Sequence, residues 1–149
     1  MSSKEALIEA LGLKGVIRAG WVRAGVQNPE SVAAHSWGMA LLATQICPPD
    51  LNLQRVLELC ILHDIAEVRV GDITPHDGVT PEEKHRLESK AIEEMGINAA
   101  HIFAEYEAQE TPESQFVRHL DKLDMALQAE IYEQQNLNLT EFKKSVHEW

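Results

Sequence analysis

The stretch LQRVLELCILHDIAEV, Leu53 to Val68, decides the fold class. Val56, Leu57, Leu59, Cys60, Ile61 and Leu62 make it strongly apolar, and the pattern predicts a helix over 53–68. Three polar groups, His63, Asp64 and Glu67, stand at the end of what would otherwise be pure core. On a helix, His63 and Glu67 share a face, with Asp64 about 100° round from His63. Any one of them reads equally well as a hydrogen-bonded polar residue at a core edge. Three within five positions are harder to dismiss, because buried unpaired charge is expensive.

Outward from this stretch the chain reads as helix almost throughout. Glu5 to Leu13 forms a first segment, punctuated by Gly12 and Gly15. Arg18-Ala-Gly-Trp21 to Gln27 reads as a glycine-punctuated connector with Arg18 and Arg23 flanking a tryptophan. Asn28-Pro29-Glu30 has the capping side chain, proline and acid of a helix start, and predicts a helix to about Ile46, stopped by Pro48-Pro49. An irregular stretch runs from Gly71 to Thr80-Pro81. Further helices are expected over Pro81–Met95 with Gly96 as the stop, around Ala99–Ala108, and from Pro112 to about Gln135, with a short helical piece after Asn136. No strand-like alternation, repeat or linker interrupts this pattern. The expectation is one all-α domain over 1–149, a single compact helical bundle.

A chain of 149 residues accommodates one sizeable core. With 5% aromatic residues, that core is mainly aliphatic. A net charge of -11 argues against a nucleic-acid polymer as partner, since duplex binders present a basic face. It leaves room for a small phosphorylated molecule, because a bound metal and one or two arginines reverse the local field. Cys47 and Cys60 lack a CxxC spacing and read as reduced, buried and inert. The N-terminal MSSKEALIEALGL has no continuous apolar run, and no segment approaches the roughly 20 apolar residues of a membrane span; the expected location is cytoplasmic, with no membrane partner.

Two more polar groups are misplaced in apolar helices. His35 stands amid Ala33, Ala34 and Trp37, and Asp121 lies beside the stripe Leu120, Leu123, Leu127. Spacing does not choose between Asp121 and Asp124. Two imidazoles and two carboxylates form a mixed nitrogen–oxygen set suited to Mn, Fe, Co, Ni, Zn or Mg. His76, His85 and His101 are candidate ligands of a second metal; for His85, as for His101 and His119, a solvated surface is the better reading, and one divalent metal is expected. Glu82, Glu83, Glu88, Glu93 and Glu94 read as the acidic, solvated face of their helix. On residue type alone, Arg18 and Arg23 read as surface charges and Trp21 as core.

His35, then His63-Asp64, then Asp121 resembles the H…HD…D signature of the HD-domain metal phosphohydrolases. The surrounding words are more specific: PESVAAH over 29–35, LHDIAE over 62–67, VGDITP over 70–75 and LDK over 120–122 are similar to the 5'-deoxynucleotidase branch. The similarity runs from about Gly15 to Glu133. It implies metal ligation by His35, His63, Asp64 and Asp121, and catalytic roles for Glu67 and Asp72. It also implies substrate contacts from Arg18, Trp21, His35, Glu67, Asp121 and the loop Asp72-Ile73-Thr74-Pro75. The implied reaction is hydrolysis of a deoxyribonucleoside 5'-monophosphate by a homodimer; Glu67 would activate water and Asp72 would protonate the leaving oxygen. Ala19-Gly20 separates Arg18 from Trp21, which some members have adjacent. Competing readings are an HD hydrolase of another nucleotide or phosphodiester, and a non-catalytic nucleotide-binding module.

Overall fold

Local capping chemistry defines most of the helices. The structure is a computed structural model that describes residues 3–146; residues 1, 2 and 147–149 of the expected 1–149 domain lie outside the described residues. The α-helices are α1 (Lys4–Leu11), α2 (Ala19–Arg23), α3 (Val32–Ile46), α4 (Leu53–Leu62), α5 (Glu67–Val70), α6 (Pro81–Met95), α7 (Ala100–Ala108) and α8 (Pro112–Tyr132). Short 3-10 turns cover Gly12–Gly15, Pro75–Asp77, Glu133–Gln135 and Thr140–Lys143. Ser3, Ser31, Asn52, Thr80 and Thr111 each accept a backbone N–H at the start of α1, α3, α4, α6 and α8. Pro81 and Pro112 open α6 and α8, and left-handed Gly96 ends α6. The fold is all-α among the described residues, as expected, and no helix of them is long and apolar enough to cross a membrane.

Three expected boundaries move, each for a reason that bears on the site. The connector after Arg18 contains the short helix α2. Asn28 does not cap α3: it sits at φ 54°, and Ser31 caps instead, its Oγ accepting the Ala34 N–H. Residues 28–31 run back along residues 16–18, joined by Arg18 N–H to Glu30 O (3.1 Å) and Val32 N–H to Val16 O (2.7 Å). That ribbon fixes Arg18 beside the start of α3. The helix over 53–68 also breaks, at His63. The His63 ring N–H bonds the Cys60 carbonyl at 3.0 Å, the acceptor that the Asp64 amide would take in a continuing helix. Residues 63–66 turn tightly, with Glu67 N–H to Asp64 O at 3.0 Å, before α5 starts. His63 and Glu67 therefore do not share a regular helical face.

Burial follows three aliphatic clusters. Met39 and Ala43 of α3 pack with Val56, Leu59 and Cys60 of α4, Ile102 of α7, and Val117 and Leu120 of α8. A second cluster joins Val32, Ile65 and Ala66 to Ala91, Ile92 and Met95 of α6. A third packs Trp21 and Val26 against Ala129, Tyr132 and Leu139. Val32, His35, Met39 and Ala43 form the buried stripe of α3, so His35 lies between the first two clusters. Cys60 is buried and Cys47 half-buried; both thiols are free, with that of Cys60 pushed up to about 12 chiefly by burial.

A buried histidine–carboxylate centre beside an open cleft

His35 is fully buried and gripped at both ring nitrogens. Nδ1 lies 2.7 Å from Asp124 Oδ2, and Nε2 lies 2.7 Å from Asp121 Oδ1. Asp121 and Asp124 are three residues apart on α8, so one helical face presents both carboxylates to one ring. Burial disfavours the imidazolium, but the two carboxylates outweigh it and raise the His35 pKa to about 9.

His63 closes α4, 3% exposed. Its Nδ1 stands 3.1 Å from Leu59 O and 3.0 Å from Cys60 O. A carbonyl only accepts, so Nδ1 carries a proton, and Nε2 offers a lone pair once the ring is neutral; burial opposes the charged ring, but Asp64 and Asp121 raise its pKa. Nε2 is buried, 3.0 Å from Asp64 Oδ2 but without hydrogen-bond geometry to it or to any other described atom. Burial works against the Asp64 carboxylate, yet His63 beside it holds its pKa well below the usual range. One ligand atom each from His35, His63 and Asp64 lies within 4.8 Å of the others. Asp121 reaches the same place through His35 Nε2, and accepts from the Tyr106 hydroxyl at 3.3 Å. All four sequence-predicted ligands therefore converge.

A second grouping, Glu30, His35 and Asp124, lies on the Nδ1 side of the same ring. Its donors are already engaged: Glu30 accepts the Trp21 indole N–H at 2.9 Å and stands 3.9 Å from Arg18 Nε, while Asp124 holds Nδ1. The Nε2 side, where His63 Nε2 is buried without a hydrogen-bond partner, is the side that fits a metal.

Glu67 is 4% exposed and its Oε2 has no partner. Burial, then the charges of Asp64 and Asp72, push its pKa well above the ordinary carboxylate value. Asp72 Oδ2 accepts the Ala19 N–H at 2.8 Å, tying the loop after α5 to the Arg18 segment. Arg18 is mostly buried; burial opposes its charge, but Asp121, Asp72, Asp64 and Glu30 hold it protonated. Arg18, Trp21, Asp72, Ile73, Thr74 and Pro75, all sequence-predicted, line a cleft of about 360 Å³.

The sequence reading missed several parts of this centre. Arg23 is not a free surface charge: it lines the cleft and donates to Thr74 Oγ1 at 2.8 Å. His76, Met125, Glu141 and Phe142 complete the cleft, the last two from the chain end. Trp21, expected as a substrate contact, is 1% exposed, its ring tilted 40° against Phe142 with centroids 4.6 Å apart and its N–H given to Glu30. It forms part of the cleft wall. Glu88, expected on a solvated face, is 4% exposed. Burial raises its pKa to about 7 against the opposing charge of Lys84. The signal was present, since Glu88, Ala91, Ile92 and Met95 repeat at helical spacing. His85 is half exposed and faces Glu107 at 3.0 Å, in keeping with a surface role.

Buried atoms without partners on Ser36, His63 and Glu67 are costly, and a cation on the Nε2 side would answer that of His63. The donor set of two imidazoles and two carboxylates suits a divalent first-row metal. Comparison with known proteins agrees. The HD-domain family profile matches residues 10–148. 5'-Deoxynucleotidase hdd1 of Schizosaccharomyces pombe is 41% identical over 133 residues, 81% of this chain and 67% of that protein. The chain spans about two thirds, 63–67%, of the length of this relative and of the human and bovine 5'-deoxynucleotidases HDDC2. Among solved structures, PH0347 from Pyrococcus horikoshii OT3 superposes with a TM-score of 0.87 at 33% identity, covering 96% of this chain and 86% of that one. The cyanophage S-2L HD phosphohydrolase DatZ, bound to dA and one catalytic Zn2+, has a TM-score of 0.56 at 26% identity, covering 85% and 71%. The chain belongs to the HD-domain family.

Proposed function

We propose that this chain is a metal-dependent 5'-deoxynucleotidase, hydrolysing deoxyribonucleoside 5'-monophosphates to deoxynucleoside and phosphate. The observation that carries the reading is the convergence of His35, His63, Asp64 and Asp121 next to Arg18, which itself lines the open cleft. The names of the relatives support the substrate class, and DatZ supports a single metal on this scaffold.

One divalent ion, held by His35 Nε2, His63 Nε2, Asp64 and Asp121, would supply charge neutralisation at the phosphate and a more acidic water. Arg18 grips a non-bridging phosphate oxygen, a task for which its planar donor fork is suited. Glu67, whose raised proton affinity makes it a stronger base than an ordinary carboxylate, takes a proton from the attacking water. The new P–O bond forms as the bond to the 5'-oxygen breaks, and the proton on Glu67 is then available to that oxygen. Asp72 also tethers the site, its Oδ2 accepting the Ala19 N–H and so setting the Arg18 backbone. The sugar and base extend along Thr74 and Pro75 toward Met125 and Phe142.

A homodimer belongs to the same reading. The packed helices α3 and α4 leave Trp37, Leu41 and Ile61 exposed, an apolar surface that a second copy would cover. A soluble nucleotide substrate fits a cytoplasmic location.

The test is phosphate release from a panel of deoxyribo- and ribonucleoside monophosphates with Mn2+ or Co2+, against chelated protein. Asp64→Ala should lose both hydrolysis and metal while remaining helical. Undiminished turnover by that variant, freed of contaminating phosphatases, would sink the assignment.

A further inference from the structure

α3 carries a glycine at its middle, Gly38, where the backbone does not require one: its φ is ordinary and its neighbours are helical. Glycine in a helix interior weakens the helix. What Gly38 provides is space. A β-carbon there would overlap Asp124 Oδ1 and stand 3.0 Å from Asp124 Cγ. The carboxylate lies over the bare α-carbon, and its other oxygen, Oδ2, reaches His35 Nδ1 at 2.7 Å. Gly38 and His35 are three residues apart on α3, so socket and ring share one face of the helix.

We propose that Gly38 and Asp124 are positioning residues for the metal ligand His35. The missing side chain at 38 is the socket that admits the Asp124 carboxylate. The carboxylate then accepts the Nδ1 proton, fixes the tautomer and ring plane, and directs Nε2 toward His63, Asp64 and Asp121. A ligating histidine usually donates its other N–H to such an acceptor, and loss of the acceptor typically weakens metal binding 10–100-fold. The unusual part here is that a residue touching neither metal nor substrate controls the acceptor's place. The inference rests on the metal reading above but not on the nucleotide reading.

The test measures Mn2+ and Co2+ affinity by calorimetry on chelator-stripped protein, and thermal midpoints, for wild type, Gly38→Ala, Asp124→Ala, Asp124→Asn and the double variant Gly38→Ala/Asp124→Ala. Gly38→Ala and Asp124→Ala should each weaken metal binding about 10–100-fold. The double variant should bind no more weakly than Asp124→Ala, because the second change has nothing left to displace. Gly38→Ala should lower the thermal midpoint of wild type but raise it in the Asp124→Ala background, where the new methyl has room and alanine favours the helix. Asp124→Asn, whose amide oxygen still accepts the Nδ1 proton, should retain most of the affinity. Should Asp124→Ala fail to fold, Gly38→Ala and Asp124→Asn carry the test alone. Wild-type affinity in Gly38→Ala, losses that multiply in the double variant, or no metal binding by wild type would each overturn the proposal. Absence of nucleotide hydrolysis with these affinities intact would count against the nucleotide reading alone.

Discussion

Replacing Glu88 with glutamine should stabilise the chelator-stripped protein at neutral and alkaline pH and leave it unchanged in acid. Glu88 is 4% exposed on the inward stripe of α6. Burial raises its pKa from 4.5 to about 7; Lys84 and His63 act against the rise, and Asp64 and Glu107 add to it. An acid with a raised folded-state pKa contributes stability that is complete below the unfolded value, here 4.5. That stability is lost as pH rises through the folded value, about 7. The gap corresponds to roughly 3 kcal/mol at 1.36 kcal/mol per pKa unit. Glutamine keeps the shape of the protonated acid and cannot ionise, so above pH 7 the variant should gain about that amount. For a chain of this size that is about 6–12 °C in thermal midpoint. Thermal unfolding followed by circular dichroism from pH 4 to 9 reads it directly. A gain of equal size at pH 4 and pH 8, or a loss at pH 8, would refute the reasoning, because either would show that Glu88 is not an ionised, poorly compensated group in the folded state.

Metal uptake should strengthen with pH, because His35 must give up a proton from Nε2: apparent Mn2+ affinity at pH 7 should be about 100-fold below its value above pH 9, with proton release seen in calorimetry across buffers. The same raised pKa stabilises the metal-free protein fully below pH 6.5, a contribution lost as pH rises through about 9, so stripped and loaded proteins should show opposite pH trends in thermal midpoint. Glu67→Gln should keep the metal and the substrate KM but lower kcat by about 10²–10⁴-fold; loss of metal in that variant would move Glu67 into the ligand set. Phe142→Ala should raise KM for nucleotides more than it lowers kcat, since Phe142 lines the cleft and packs against Trp21, and an unchanged KM would remove Phe142 from the substrate wall.

The four proposed ligands were legible for an energetic reason. His35, His63 and Asp121 interrupt apolar stripes, and a polar group on such a stripe needs a partner. What sequence could not supply was the partner, which lies 86 residues away for His35 and Asp121. Asp124 and Asp121 were indistinguishable by spacing because both face the same ring; their division of labour is decided by which ring nitrogen each meets. The break at His63 was hidden for a similar reason. Helical periodicity continues through Ile65 and Val68, while the ring's own bond to the Cys60 carbonyl, a tertiary choice of rotamer, ends α4. Asn28-Pro29-Glu30 read well as a cap, but pairing with residues 16–18 outweighed local propensity. Cleft residues from the chain end, Glu141 and Phe142, had no local signal.

An acidic chain handling a phosphate dianion is not a contradiction once the charges are placed. Asp64, Asp121, Asp72 and Glu30 stand around Arg18, with Asp124 on His35 and Glu67 beside Asp64 and Asp72. Taken alone, this field repels a phosphate and attracts a cation. Low dielectric magnifies both effects at close range. The net charge of -11 therefore favours metal capture. Arg18, held charged by the same carboxylates that would bind the ion, is already in place for the dianion once their charge is neutralised. Were Arg18 more exposed, its charge would be screened and its contribution to a phosphate contact small. Its burial beside the carboxylates makes recognition conditional on the ion. On the proposed function, the same residues would bind the cation and set the order in which the substrate follows.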